Sequence, residues 1–223
     1  MTLSDPEVQS VVDGYADSTD APGSIVVVAR WFRDALEQTR GTGGCAALEI
    51  GVRGGGTSAI MCAIAEAVAE PSFLVLGADP YGLMPYYSPG PAPPVHGDEF
   101  YTAAKSLLGP FRRSVLFRMT AMDFISVVLP NYSWWVEGKQ YPASRRFLSF
   151  VFLDGQHENV NVVQEAAGVV PFMAPGGVLA IDNTELVPEA VALLKASPRL
   201  GLREHLHWAS ADSPLQRDRF TVG

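Results

Sequence analysis

Two predicted buried strands end in side chains that could bind a cation. Phe147–Leu153 is followed by Asp154, and Gly177–Ile181 is followed by Asp182 and Asn183. If these strands are neighbours in a parallel sheet, their ends lie about 5 Å apart, and carboxylates so close together favour a cation between them. Two carboxylates and an amide oxygen suit Mg²⁺. The alternative is that Asp154 and Asp182 only begin turns.

A histidine lies three residues after the first of these carboxylates, at His157. A neutral imidazole can take the proton of a hydroxyl group, because its ordinary pKa is close to neutrality. A cation beside it would lower the pKa of a bound hydroxyl and hold it in place. The alternative is that His157 only caps the helix that follows. His157 is therefore a candidate general base beside the Asp154 carboxylate.

A glycine-rich segment between a predicted strand and a predicted helix forms a second candidate site. Glu49, Gly51, Gly55 and Thr57 belong to it. Glycines allow the backbone to approach a ligand closely, and the helix that follows presents free N–H groups to a carboxylate or phosphate. Asp79 ends the next predicted strand, where an acid can bind a ribose diol. The ribose could belong to NAD or to S-adenosylmethionine, and Asp79 could instead only begin a turn.

Apolar segments alternate with helical patterns along most of the chain, which predicts a mostly parallel sheet with helices on both faces. We expect seven strands, with an antiparallel hairpin at the C-terminus, in a doubly wound α/β domain over 45–223 that follows a helical extension over 1–44. The predicted strands are 46–50, 73–78, 114–119, 147–153, 177–181, 202–208 and 216–222. The predicted helices are 24–39, 57–69, 98–108, 122–129, 158–172 and 188–197.

The composition excludes several classes of protein. The formal net charge of -8 argues against a nucleic-acid partner, which usually meets a basic surface. No apolar segment approaches the roughly 18 residues of a membrane span, so we expect no membrane partner and a cytoplasmic location. Two cysteines make no disulfide framework. The arginine pairs Arg112-Arg113 and Arg145-Arg146 are interpreted as solvated surface.

The order of these motifs resembles the class I S-adenosylmethionine-dependent methyltransferases over about 45–185. It is similar to their cation-dependent O-methyltransferases, both the catechol type and an actinobacterial branch that methylates natural products and their sugars. The matching segments are Asp-Gly-Gln-His at 154–157, Pro-Gly-Gly at 175–177 and Asp-Asn at 182–183. Gln156 departs from the pattern, because the natural-product branch commonly has an acid there.

The resemblance implies a role for each candidate residue. Asp154, Asp182 and Asn183 would bind Mg²⁺ or another divalent cation, and His157 would be the catalytic base. The S-adenosylmethionine site would be formed by the following residues: Glu49, Gly51, Gly55, Thr57, Asp79, Met122 (under the purine) and Asp154.

The predicted function is therefore transfer of a methyl group to a hydroxyl of a small molecule, such as a natural product, a sugar or a phenol. Two irregular segments, 80–97 and 131–146, are the expected walls of the acceptor pocket, although their aromatic residues could equally pack the loops onto the core. An NAD-dependent oxidoreductase and a non-catalytic, ligand-binding member of the fold are the alternatives. A homodimer is expected as a possible assembly.

Overall fold

The computed structural model describes residues 2–19, 22–82, 97–131, 133–136, 139–142, 146–209 and 214–223. The strands are β1 Ala46–Ile50, β2 Leu74–Asp79, β3 Ser114–Arg118, β4 Ser133–Val136, β5 Lys139–Pro142, β6 Leu148–Leu153, β7 Met173–Ile181, β8 Leu200–Ala209 and β9 Pro214–Val222. The helices are α1 Asp5–Asp13, α2 Pro22–Gln38, α3 Gly56–Val68, α4 Asp98–Leu108, α5 Ala121–Asp123, α6 Asn159–Val169 and α7 Pro188–Lys195.

Seven of the strands form one sheet in the order β3-β2-β1-β6-β7-β9-β8. The first five in this order are parallel, and β9 runs antiparallel to both β7 and β8. The predicted fold class is thus confirmed, including the antiparallel C-terminal hairpin. After β1, the chain forms β2, which pairs with one edge of β1. It later forms β6, which pairs with the other edge of β1. The carboxyl ends of β1 and β6 therefore lie at the switch point of the sheet, where ligands of such folds bind.

Two hydrophobic clusters cover the two faces of the sheet. On one face, Phe32 of α2 and Ile60 of α3 pack with Phe150 of β6. On the other face, Val162 of α6 and Val191 of α7 pack against the same strands and against the terminal hairpin. Because β1 and β6 are covered on both faces, they are buried along their whole length and mostly apolar rather than alternating, which is why they were predictable from the sequence.

The N-terminal helices contribute to this packing. The side chains of Val8 and Val12 on α1 are fully buried, and α2 lies against β6 and β7. The boundary between an extension over 1–44 and a domain over 45–223 stays a prediction.

Three segments differ from the sequence prediction. The segment 131–146, predicted to be irregular, contains β4 and β5, which pair as an antiparallel hairpin. The helix predicted over 122–129 is one turn of α-helix, α5, that continues as a π-helical turn over Phe124–Val128 and a 3₁₀ turn over Leu129–Asn131. β7 begins at Met173 rather than 177, because Met173 already pairs with Leu148 of β6; the register then shifts, and Val178 pairs with Phe150.

The part of the chain that the structure describes contains no helix long and apolar enough to cross a membrane. Cys45 and Cys62 are both free thiols. The predicted acceptor wall over 80–97 lies mostly outside the described residues, as do Tyr86 and Tyr87 within it. Tyr81 is described and fully buried, with its ring 5.1 Å from that of Tyr101 and its hydroxyl donating to the Arg53 carbonyl. It packs the loop onto the core, as the alternative interpretation required.

Candidate functional site

A cavity of about 690 Å³ opens beyond the carboxyl ends of β1, β6 and β7. A second cavity, of about 180 Å³, lies beyond β2 and β1. Gly51 lines both, so the two cavities meet at the glycine-rich segment. The predicted residues are divided between them. The larger cavity is lined by Glu49, Gly51, Thr57, Asp154, His157, Asp182 and Asn183. The smaller cavity is lined by Gly51, Asp79 and Met122.

Gly51 lies at a position where the fold has no room for a side chain. Its φ is +89°, in the left-handed region, and a Cβ atom there would lie 2.1 Å from the carbonyl oxygen of Asp154. The glycine loop after β1 can therefore lie directly against the end of β6. Gly55, which lines neither cavity, is the left-handed N-cap of α3 and directs the start of that helix.

Glu49 is a buried carboxyl on β1 that accepts a hydrogen bond from the Ser58 hydroxyl on α3. Burial raises the pKa of Glu49 to about 8, against the lowering effect of the Ser58 hydrogen bond, and the charge of Asp154 raises it further. Glu49 thus lines the larger cavity as an acid that can exist with or without its proton near neutrality.

Asp79 is held rigidly at the end of β2. Its Oδ2 accepts a hydrogen bond from the backbone N–H of Arg53 at 2.9 Å, and its Oδ1 accepts one from the N–H of Tyr81 at 2.9 Å. The second bond is an Asx turn, so Asp79 begins a turn, as the alternative interpretation held. The two bonds fix the carboxylate towards the smaller cavity and tie the glycine loop to the end of β2.

Met122, predicted to lie under a purine, is 41% exposed and lines the smaller cavity beside Asp79. Across that cavity stands Glu165 of α6, which the sequence prediction missed. Its side chain is buried, and among the described residues its Oε2 has no hydrogen-bond partner. Burial raises the pKa of Glu165 to about 8, and the positive charge of His157 lowers it slightly.

Two of the predicted cation ligands, Asp154 and Asp182, converge with the predicted base His157 at the ends of β6 and β7. One ligand atom from each of these three residues lies within 4.8 Å of the other two. His157 Nε2 is 3.7 Å from Asp154 Oδ1. The N-cap residue of α6 is Glu158 rather than His157. The alternative interpretation, in which His157 only caps this helix, is therefore wrong.

The pKa values of the acid and of the imidazole are both raised. Burial raises the pKa of Asp154 to about 7, and the charge of Asp182 raises it further. For His157, burial lowers the pKa while the nearby Asp154 and the other surrounding carboxylates raise it, and the net direction is upward. A group of this kind can accept a proton from a neighbouring hydroxyl near neutral pH.

Asn183, the third predicted oxygen ligand, has φ +49° and begins a short 3₁₀ turn over Thr184–Leu186. Its Nδ2 donates to Glu185 Oε1 at 3.2 Å, which leaves its amide oxygen as the atom available to a ligand.

Arg217 of β9 lines the larger cavity and was also missing from the sequence prediction. Its Nε donates to Asp182 Oδ1 in a buried ion pair, and its guanidinium carbon lies 5.9 Å from the centre of the Phe152 ring. The sequence signal was the alternation of Arg217, Asp218 and Arg219 inside a predicted strand. Charged side chains on a strand that pairs with β7 are shielded from water and need a partner of opposite charge.

The donor set fits a hard divalent cation in chemical type. Asp154 and Asp182 offer carboxylate oxygens and Asn183 an amide oxygen, and all three line a cavity large enough for further ligands. The glycine loop, the fixed Asp79 carboxylate and the two cavities that share Gly51 likewise fit a cofactor with a ribose and a charged tail. Among the described residues, Arg217 opposes a cation, since it already neutralises Asp182.

No sequence profile of a known protein family matches the chain. No curated protein matches it either. Solved structures do match. An O-methyltransferase from Bacillus cereus in complex with S-adenosylhomocysteine is 14% identical, with a TM-score of 0.60, over 99% of this chain and 92% of that one.

Two further structures show how widely this fold is shared. TomG, an O-methyltransferase of tomaymycin synthesis from Streptomyces achromogenes, solved with S-adenosylmethionine, is 13% identical, with a TM-score of 0.60, over 100% of this chain and 92% of that one. An rRNA methylase from Streptococcus thermophilus is 10% identical, with a TM-score of 0.56, over 89% of this chain and 95% of that one. The chain therefore has the Rossmann-like fold of the S-adenosylmethionine-dependent methyltransferases.

Proposed function

We propose that this protein is an S-adenosylmethionine-dependent O-methyltransferase that acts on a hydroxyl of a small molecule and is assisted by Mg²⁺ or another divalent cation. The observation that carries the proposal is the convergence of Asp154, His157 and Asp182 within 4.8 Å at the cavity that the glycine loop also lines. A carboxylate pair, a base and a cofactor-sized space at one sheet edge are what hydroxyl methylation requires.

The two cavities suggest how the cofactor is held. Asp79 would accept the ribose hydroxyls, and Met122 would contact the purine in the smaller cavity. Glu49, Gly51 and Thr57 would surround the amino-acid end near the start of α3, with Gly55 setting the direction of that helix. S-adenosylmethionine supplies an activated methyl group, so the protein has only to position and deprotonate the acceptor.

The chain's own residues would do the acid–base work. His157 would take the proton of the acceptor hydroxyl, and Asp154 would hold the imidazole and stabilise its charge once it is protonated. Asp154, Asp182 and Asn183 would hold the cation, whose chemistry is to lower the pKa of the acceptor hydroxyl.

The small-molecule acceptor is favoured over a nucleic acid, although an rRNA methylase shares the fold. The chain carries 24 acidic against 16 basic residues, and a duplex or RNA partner is usually met by an excess of basic ones.

Methyl transfer from labelled S-adenosylmethionine to a panel of phenols, sugars and hydroxylated natural products tests the proposal. Asp154→Asn and Asp182→Asn should each abolish metal-dependent turnover while S-adenosylhomocysteine still binds. Full activity in EDTA would remove the cation from the proposal. Tight binding of NAD in place of S-adenosylhomocysteine would favour an oxidoreductase, and cofactor binding without transfer to any acceptor would favour a non-catalytic role.

A further inference from the structure

Arg217 reaches the acidic cluster because of strand register. β7 and β9 pair antiparallel with Ala180 opposite Arg219 and Ile181 opposite Asp218. Continuing this register places Arg217 opposite Asp182, one residue beyond the last paired position. Side chains of directly opposed residues lie on the same face of a sheet, about 5 Å apart at Cβ. The contact is thus built into the sheet and does not depend on a loop.

The guanidinium is buried together with its partner. The side chains of Arg217 and Asp182 are both 8% exposed, and the Arg217 guanidinium lies over Phe152. Within the described residues, Nη1 of Arg217 is buried and has no hydrogen-bond partner. Removing two charges from water is costly unless they neutralise each other, so this pair holds together while nothing else neutralises Asp182.

A divalent cation at the same cluster would need the same carboxylate. Asp182 supplies one of the three ligand atoms that lie within 4.8 Å of each other. A dication bound there would stand a few ångströms from a guanidinium that cannot lose its charge, and the repulsion between them is large at this burial. The two cations therefore exclude each other unless the arginine side chain moves.

We propose that Arg217 is an internal competitor for the cation site, so that its guanidinium neutralises Asp182 in the metal-free protein and must leave that carboxylate when a divalent cation binds. The inference rests on the proposed cation site at Asp154, Asp182 and Asn183. It predicts that the wild-type protein binds divalent cations weakly, and that removing the charge at position 217 strengthens binding without adding a ligand.

Mn²⁺ binding, followed by the loss of the free-ion EPR signal in the presence of S-adenosylhomocysteine, measures the site without turnover. Arg217→Met removes the charge and keeps an apolar stem on Phe152. It should bind Mn²⁺ at least about tenfold more tightly than the wild type, a change equivalent to 1.4 kcal/mol. Adding Asp182→Asn to this variant should remove the gain.

Arg219→Met is the matched control. Arg219 is also buried on β9 and on the same face as Arg217, but it pairs with Asp34 of α2 instead of the cluster. This variant should bind Mn²⁺ as the wild type does. Arg217→Gln provides a second test of charge removal if the methionine variant does not fold, as judged by its circular dichroism.

The outcomes separate this inference from the proposed function. Equal or weaker Mn²⁺ binding by the Arg217 variants, with the wild type still binding, would overturn the competition and leave the cation site intact. No Mn²⁺ binding by any protein would overturn both the competition and the cation's part in the proposed function. Failure to bind S-adenosylhomocysteine would instead contradict the methyltransferase proposal itself.

Discussion

Three acidic side chains near the glycine loop hold their protons more tightly than ordinary carboxyls. Burial raises the pKa of Glu49 and of Glu165 to about 8 and that of Asp154 to about 7. Among the described residues, Asp182 has the guanidinium of Arg217 directly on it, and the imidazole of His157 lies 3.7 Å from Asp154. The site is thus electrostatically uneven, and binding of a positively charged cofactor or cation would favour release of protons from the carboxyls whose pKa is raised.

His157 is expected to act as the base. His157→Gln should lower kcat by about 10²- to 10⁴-fold, the usual contribution of a positioned base, and should leave the affinity for S-adenosylhomocysteine unchanged. The acidic limb of the wild-type pH–rate profile should lie above the ordinary histidine pKa, because the pKa of His157 is raised. If the acidic limb of the pH–rate profile were the same in the variant, a group other than His157 would be responsible for it.

Glu165 should make the protein less stable as the pH rises. The unfolded chain releases this proton near 4.5, whereas the folded protein holds it to about 8. The folded state therefore binds more protons between these values, and the free energy of unfolding falls as pH rises through this window. Glu165→Gln should flatten the fall in Tm between pH 5 and pH 8.

Glu189→Gln, which changes an exposed carboxyl on α7, is the control for this measurement. Glu49 and Asp154 titrate in the same direction, so the wild-type curve will not be attributable to one group. The difference between the Glu165 variant and the wild type isolates Glu165, and parallel curves for the two would contradict the assignment.

At the scale of elements, the glycine loop joins the ends of β1, β2 and β6. Gly51→Ala would place a methyl group 2.1 Å from the Asp154 carbonyl oxygen in a left-handed conformation. The conformational strain alone costs about 1–2 kcal/mol, and the overlap with fixed backbone adds to it. We expect a clear loss of Tm and loss of S-adenosylhomocysteine binding.

Gly54→Ala is the matched control, because a Cβ atom at Gly54 meets nothing within 4 Å. Gly41→Ala separates strain from overlap, since Gly41 has φ +80° but open space around it. The Gly54 variant should keep its Tm, and the Gly41 variant should lose stability but keep its cofactor affinity. A Gly51 variant as stable as the Gly54 variant would contradict the close contact with Asp154.

The parts of this architecture that the sequence predicted are those with a local cause. Helix 98–108 was placed correctly because acidic residues begin it and its apolar residues repeat with helical spacing. Asp154 and Asp182 could be placed at one edge because apolar strands precede both. The helix α1 was missed, although Ser4 and Glu7 form a capping box around Pro6 that marks its start.

Arg217 and Glu165 could not be predicted because their roles depend on tertiary placement. The position of Arg217 opposite Asp182 follows from the register between β7 and β9, which one sequence does not specify. Glu165 lies among the residues of an amphipathic helix, and only the packing of α6 beside β6 turns its carboxyl towards the smaller cavity. Residues that act across elements are therefore the ones that sequence patterns leave out.

At the scale of the whole molecule, the larger cavity is lined by residues from both ends of the chain. Asp17 and Thr19 come from the segment after α1, and Arg217 comes from the last strand. A Cβ atom at Gly56 would lie 2.1 Å from the Ser18 carbonyl oxygen, so this N-terminal segment is packed closely on the start of α3. A ligand in the cavity would thus contact elements from distant parts of the chain, and it can bind only when all of these elements are folded.

Cofactor binding should consequently raise the thermal stability of the entire chain. S-adenosylhomocysteine at 100 times its Kd contributes about 2.7 kcal/mol, which in a domain of this size corresponds to a Tm increase of about 5–11 °C. NAD at the same concentration should give no shift. Asp79→Asn should reduce the shift in Tm. It replaces the carboxylate, which the N–H groups of Arg53 and Tyr81 hold in place, with an uncharged amide. An equal shift with NAD, or none with S-adenosylhomocysteine, would contradict the proposed cofactor, because a ligand that binds only the folded state must stabilise it.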